Sequence, residues 1–107
     1  MKYNVEIISD AEEDVFEIYK FIRQSDSPAN AEYVFGEIMD ACHSLSAVPK
    51  RGHLPPELQK IGILDFREIH FKPYRIIYQI INNTVFIHCI LDGRRDLQEL
   101  LERRLLR

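Results

Sequence analysis

Apolar residues recur with two different periods along the chain, and the change of period separates a helical half from a strand half. Residues 2–8 alternate between polar and apolar side chains, which predicts a strand. In the next forty or so residues, apolar side chains recur every three or four positions, which predicts two helices of about four turns each. Their apolar stripes are Ala11, Val15, Ile18 and Ile22, then Val34, Ile38, Ala41 and Leu45. Since only a short polar turn separates them, we expect a helical hairpin.

Residue types at the helix ends support this division. Ser9 with Glu12 has the spacing of a capping box at the start of the first helix. Ser27 followed by Pro28 predicts an N-cap and a first helical residue for the second helix. Asp96 with Glu99 forms another such pattern and predicts a short last helix, with leucines at positions 97, 100, 101 and 105 on one face.

The second half of the chain has the period of strands. Residues 49–62 contain three prolines and two glycines and are predicted to form a loop. Residues 64–71, 74–81 and 84–91 are rich in β-branched and aromatic side chains, and two-residue connections separate them. These features predict an antiparallel meander of three strands.

The order β-α-α-β-β-β-α predicts an α+β fold in which the helical hairpin packs on one face of a small, mostly antiparallel sheet. At 107 residues, the chain has the length of a single domain, 1–107. No predicted helix is long enough to cover the second face of the sheet. We therefore expect that face to be open to solvent or to a partner.

Composition narrows the class of protein. The chain is 46% hydrophobic and 29% charged, as in ordinary soluble proteins. It has no apolar run of membrane-spanning length and no sustained apolar stretch in its first ten residues, so we expect neither a membrane span nor a secretory leader. A cytoplasmic location is expected. Cys42 and Cys89 lie in apolar runs without ligand spacing, so we expect buried reduced thiols, no metal site and no cofactor.

Charge is distributed unevenly along the chain, although the net charge is only −3. Residues 1–48 contain three basic and ten acidic side chains, whereas residues 49–107 contain eleven basic and seven acidic ones. This asymmetry predicts one surface that repels polyanions and another that attracts them.

Arginines are the leading candidates for function. Alternation along residues 74–81 places Arg75, Ile77 and Ile81 on one face, Arg67 lies on the preceding strand, and Arg94 and Arg95 follow the last strand. If the strands pair in register, Arg67, Arg75 and one of Arg94 and Arg95 converge on the open face, where guanidinium groups suit phosphate or carboxylate oxygens. The alternative is that each arginine only pairs with an acidic neighbour.

One histidine has a functional interpretation. His53 follows Lys50 and Arg51 in the basic loop, whereas His43 within a helix and His88 within an apolar strand are expected to be structural.

Two motifs resemble a known superfamily. The strand "PYRIIYQI", a short turn, an apolar strand, "LDGRRD" and a leucine-rich last helix resemble the RelE/ParE toxins of type II toxin–antitoxin modules. RelE-like members are ribosome-dependent ribonucleases that cut messenger RNA, and ParE-like members poison DNA gyrase. The resemblance covers essentially the whole chain.

The resemblance implies alternative sites and activities. For a ribonuclease it implies Arg75, Arg94 or Arg95, and Arg67 as phosphate contacts; His53 of the basic loop is then the candidate to assist them. However, Ile69 replaces a basic residue common in that branch, and neither tyrosine nor histidine follows the Gly-Arg-Arg-Asp turn. We therefore expect a ParE-like gyrase inhibitor; the alternatives are a RelE-like endoribonuclease and a non-toxic binding domain with this fold.

The resemblance also implies a cognate antitoxin whose disordered tail folds on the toxin. We expect the tail to contact Ile77 and Ile81 on the open face, with acidic positions near Arg67, Arg75, Arg94 and Arg95. Arg103, Arg104 and Arg107 of the last helix are either contacts for gyrase or a solvated surface.

Overall fold

The computed structural model describes residues 2–106, and its first half is the predicted helical hairpin. Helix α1 is Ser9–Ser25 and helix α2 is Pro28–Ser44. The hydroxyl of Ser27 accepts a hydrogen bond from the Asn30 amide at 3.0 Å, which confirms the predicted cap of α2. The predicted capping box at Ser9 is wrong, because α1 begins at Ser9 and its N-cap is Ile8, which has no side-chain acceptor.

Four strands form one sheet, in the order β1-β4-β3-β2. Three neighbouring strands are antiparallel, and only β1 runs parallel to β4, so the predicted mostly antiparallel sheet is confirmed. Asn82 has a φ of 55° in the turn between β3 and β4, a left-handed conformation that asparagine tolerates better than most residues. The strands are β1 (Asn4–Ile7), β2 (Arg67–Phe71), β3 (Tyr74–Ile81) and β4 (Thr84–Asp92).

The hairpin covers one face of the sheet, as predicted. Its two apolar stripes meet side chains that alternate along β3 and β4, and together they form the larger core. Ile76, Ile87 and Tyr78 on this face are fully buried. Cys42 on α2 contributes to the same core, and burial raises the pKa of its thiol to about 12, consistent with the predicted inert cysteine.

The second face of the sheet is also covered, so the prediction of an open face is wrong. A short helix α3 (Pro56–Gln59) forms within the predicted loop, and the last helix α4 (Gln98–Leu105) packs beside it. With the sheet they enclose a second, smaller core of Leu58, Phe66, Ile77, Cys89, Leu97 and Leu101. A sheet only four strands wide needs little covering, and two short helices suffice.

An ion pair fixes α4 to α1. Arg104 donates to both carboxylate oxygens of Asp14, at 3.1 and 3.0 Å, and to the carbonyl oxygen of His88 at 2.8 Å. The same carboxylate accepts a hydrogen bond from the amide of Ile90 at 3.0 Å. β1 pairs with β4 only as far as Ile87, and the Arg104–Asp14 pair provides hydrogen bonds for the His88 carbonyl oxygen and the Ile90 amide that follow. Arg103 is exposed, and Arg107 lies outside the described residues.

Candidate functional site

A buried carboxylate on β2 is the centre of a group of ionisable side chains from three other segments and from β2 itself. Glu68 is only 1% exposed, and it is surrounded by Glu57 of α3, Arg75 of β3, His70 of β2 and His53 of the preceding loop. We call these five residues the Glu68 cluster. The strand register explains the proximity, because Arg75 lies directly opposite His70 and Glu68 lies two residues from His70 on the same face.

Arg75 lies between two carboxylates. Its Nε and Nη2 donate to Glu68 at 2.6 and 3.0 Å, and its Nη1 and Nη2 donate to Glu57 at 2.6 and 2.7 Å. Hydrogen bonds with Glu57, opposed by burial, raise the pKa of Arg75 above its ordinary value, and the same bonds lower the pKa of Glu57. A Cβ on Gly93 would lie 2.8 Å from the Arg75 side chain, so the glycine of the Gly-Arg-Arg-Asp turn allows this packing.

Backbone pairing places His53 in the cluster. His53 and Glu68 exchange two backbone hydrogen bonds, of 3.1 and 2.8 Å, which form an isolated antiparallel bridge and direct both side chains to the same face. The bridge brings the backbone of Gly52 close to β2 and β3. A Cβ at this position would lie 2.5 Å from the Tyr78 hydroxyl and 2.6 Å from the Glu68 carbonyl oxygen, so a glycine is needed here. The Tyr78 hydroxyl holds the loop further by accepting from the Gly52 amide and donating to Pro49.

Arg67 is not part of this cluster. It lies three residues before His70 on β2, so its side chain projects to the opposite face of the sheet. There its Nη1 donates to the carbonyl oxygens of Gly52 at 2.8 Å and Lys50 at 3.3 Å. The structure therefore does not bring Arg67 together with Arg75.

Arg94 and Arg95 lie in the segment 92–96, which begins at the last residue of β4 and is exposed from residue 94; we call it the arginine turn. Arg94 is 72% exposed and donates from Nη2 to Asp92 at 2.7 Å. The hydrogen bond from Arg94 lowers the pKa of Asp92. Arg94 and Arg75 border the same groove, whereas Arg95 borders a second groove beside α1. Of the predicted pair, Arg94 is the residue that faces Arg75.

Ile77 and Ile81 do not form a shared open surface. Ile77 is fully buried under α3 and α4, so the prediction that it lies on an open face is wrong for this structure. Ile81 is 47% exposed, but it lies six residues along β3 from Arg75, a separation of about 20 Å at strand rise.

The sequence analysis did not identify an aromatic surface on the hairpin. Four large aromatic side chains on α1 and α2 are more than a third exposed: Phe16, Phe21, Tyr33 and Phe35. Phe21 also borders the groove that contains Arg94 and Arg95. The sequence contained a signal for this surface. At helical spacing, these four aromatic residues lie outside the apolar stripes that form the core, so they could have been predicted to be exposed.

None of the helices in residues 2–106 is long and apolar enough to cross a lipid bilayer. Two grooves contain the candidate residues: one is lined by the Glu68 cluster and Arg94, and the other by Phe21 and the arginine turn.

Comparisons with known proteins agree on one superfamily. The model of the family "ParE toxin of type II toxin-antitoxin system, parDE" matches residues 5–97. No curated protein has significant sequence similarity to the chain.

Solved structures with this fold include toxins of two kinds. The chromosomal ParDE system of P. aeruginosa has a chain with a TM-score of 0.70 and 16% identity, over 83% of this chain and 94% of that one. The toxin–antitoxin complex RelBE2 of Mycobacterium tuberculosis gives 0.63 and 18%, over 86% and 92%. A mutant of the E. coli toxin RelE in the free state gives 0.64 and 17%, over 99% and 97%.

Proposed function

The chain belongs to the ParE toxin family of type II toxin–antitoxin systems, and we propose that it stops growth by poisoning DNA gyrase. Its partner in the system is a cognate antitoxin. The predicted membership of the RelE/ParE superfamily and the predicted fold are confirmed. The target and the residues that contact it belong to the proposal.

The pairing of Arg75 with two carboxylates is the observation that supports gyrase, rather than messenger RNA, as the target. A ribonuclease of this superfamily needs cationic side chains that can bind the scissile phosphate and stabilise its developing charge. Arg75 already donates four hydrogen bonds to Glu57 and Glu68, and only 12% of its side chain is exposed. Two carboxylates beside it would repel a phosphate. In this geometry Arg75 is a structural cation.

The segment after the arginine turn supports the same choice. Leu97 and Leu101 are buried in the smaller core, and the described part of α4 has neither an imidazole nor a phenol to transfer a proton. Arginine holds its proton too tightly for this role. The chain therefore lacks a proton donor and acceptor at the position where the resemblance to ribonucleases requires one.

One observation favours the ribonuclease as a second candidate. His53 and His70 have ring centroids 5.2 Å apart and border the groove that also contains Arg94. Imidazole is the side chain best suited to acid–base catalysis near neutral pH. In this second candidate the two histidines transfer the protons and Arg94 contacts the phosphate.

We further propose that the antitoxin tail lies along the groove between α1 and the arginine turn. Phe21, which is 69% exposed, offers an apolar contact there, and Arg94 and Arg95 offer charge to acidic residues of the tail. Phe21→Ala should weaken antitoxin binding by about tenfold, as loss of an aromatic anchor does. Ile81→Ala tests the surface predicted from the sequence. If only Ile81→Ala weakens the complex in calorimetry, the tail follows the other surface.

The target is tested by pulse labelling of DNA and protein synthesis during the first minutes after tightly controlled induction. A gyrase poison should stop DNA synthesis first, and purified toxin should trap cleaved DNA in a reaction with gyrase. If translation stops first, the ribonuclease is correct, and His53→Gln and His70→Gln should each reduce cleavage of messenger RNA. If neither process slows at full expression, the chain is a non-toxic binding domain.

A further inference from the structure

We propose that His53, Glu68 and His70 form a binding site for a divalent transition metal ion such as Zn²⁺. One ligand atom from each of these residues lies within 4.8 Å of the other two. Nε2 of His70 is 3.1 Å from Oε1 of Glu68, and Nδ1 of His53 is 3.8 Å from Oε2. The site depends only on this geometry, and it is independent of whether gyrase or RNA is the target.

The backbone positions these ligands before any ion binds. Glu68 and His70 are alternate residues of β2, and His53 is paired with Glu68 across the isolated bridge, so all three side chains project from one face. Gly52 and the Tyr78 hydroxyl hold the loop at the distance that the bridge requires. A preformed ligand set of this kind reduces the ordering that binding would otherwise require.

The distances are close to those of a zinc site. Zinc bonds of about 2.0–2.1 Å in a tetrahedral site place ligand atoms about 3.3 Å apart. The widest separation here must therefore close by about 1.5 Å or less. The His53 and His70 side chains are 61% and 39% exposed, so their rings have room to rotate. Coordination by Nδ1 of His53 replaces its 3.2 Å contact with the Leu54 carbonyl oxygen.

The charge of the Glu68 cluster suits a cation. Glu57 and Glu68 supply two negative charges and Arg75 supplies one positive charge, so these three side chains together carry −1, and metal ligation uses the neutral form of an imidazole. Arg75 has the position of an outer partner that orients the ligating carboxylate, as hydrogen-bonded groups do around known zinc ligands. Imidazole nitrogen with a carboxylate oxygen is a donor set typical of zinc, and three protein ligands leave the fourth position open to solvent.

No metal site was expected from the sequence because only the cysteines were considered as ligands, and because His70 lies seventeen positions after His53, with α3 between them. Cys42 and Cys89 do not compete for the ion, since burial raises the pKa of each thiol to about 12.

The test is calorimetric titration of the full chain, freed of any histidine tag and treated with chelator, with zinc chloride alone. We expect one ion per chain. His53→Gln and His70→Gln should each weaken binding by at least about tenfold, since loss of even an outer-shell partner of a metal ligand costs that much. His43→Gln removes an exposed histidine of α2, away from the Glu68 cluster, and should leave the affinity unchanged.

A second measurement shows where the ion binds. In long-range ¹H–¹⁵N spectra, the imidazole signals of His53 and His70 should shift on zinc addition while those of His43 and His88 stay in place. No binding up to about millimolar zinc would overturn the proposal. So would unchanged affinity in the double variant His53→Gln/His70→Gln, because the ion would then occupy another site. In either case the cluster is an ion-pair network only.

Discussion

Arg75 and Arg94 border the same groove and carry the same charge, yet their surroundings assign them different roles. Arg75 is 12% exposed and donates to two carboxylates from two other elements, α3 and β2. Arg94 is 72% exposed and pairs with Asp92 of its own turn. An arginine's availability to a partner therefore depends on the carboxylates around it rather than on its place in a motif.

The last helix contains the same contrast between a paired, largely buried arginine and an exposed one, in two adjacent residues. Arg104 is 18% exposed and joins Asp14 of α1 to the His88 carbonyl oxygen of β4, whereas Arg103 is exposed. Burial raises the cost of removing one partner, because the remaining charge loses its compensation without regaining water. Exposed pairs contribute little to stability for the opposite reason. The buried arginines therefore act on stability, and the exposed ones are available for binding.

The largest expected effect is that of Arg75→Ala. This change leaves Glu68, which is 1% exposed, with a buried negative charge, and we expect the free energy of unfolding to fall by about 3–5 kcal/mol. Urea unfolding followed by far-ultraviolet circular dichroism measures it, since the chain has no tryptophan. Equal stability of Arg75→Ala and the wild type would mean that Arg75 is free for phosphate, and it would remove the main argument against the ribonuclease.

Arg104→Ala should have the next largest effect. It removes the hydrogen bonds to Asp14 and His88, and bonds to charged groups contribute about 1.5–3 kcal/mol. Arg103→Ala is the matched control, because it removes the same charge from an exposed position one residue away in α4. If both variants unfold at the same urea concentration, the contrast between buried and exposed arginines does not extend to α4.

Much of the fold could be predicted because its signals are local. The two helical stripes, the Ser27 cap and the strand segments depend on residues close together in sequence, and the structure confirms them. The helices that cover the second face of the sheet were not predicted to do so because they are short. Four residues of α3 among three prolines do not show a helical period, although Leu58 is fully buried.

The candidate site was predicted less well, because long-range partners determine it. Sequence alternation placed Arg75 and Ile77 on one face but could not show that Glu57, eighteen residues away, pairs with Arg75. It also could not show that Arg67 and Arg75 project from opposite faces of the sheet, because that depends on the register between β2 and β3. The position of Arg94 and Arg95 just after the last strand could be predicted, since an Asp-Gly step at the end of a strand is a local turn signal.

Acid should weaken the ion pair between Arg75 and Glu57, which is one of the two pairs that distinguish Arg75 from Arg94. Hydrogen bonds from Arg75 lower the pKa of Glu57, so Glu57 stabilises the fold fully above the ordinary glutamate pKa of about 4.3. That contribution is lost as the pH falls through the lower pKa of the folded state. The difference in unfolding free energy between the wild type and Glu57→Gln should therefore shrink below about pH 4. Glu99→Gln, an exposed control, should follow the wild type at every pH; a constant difference for Glu57→Gln would exclude this linkage.

The smallest expected effect on stability, and the largest on toxicity, belongs to Arg94→Ala/Arg95→Ala. Neither side chain is buried, so the unfolding midpoint should not move. Exposed arginines are frequent energetic anchors of interfaces, and losing two should weaken binding to the target by about tenfold or more. Growth arrest at equal expression measures the loss. Lys20→Ala/Arg23→Ala removes two positive charges from exposed positions of α1 and should remain fully toxic. If that control loses toxicity equally, net charge rather than the arginine turn is responsible, and if neither variant loses it, the turn is not a contact surface.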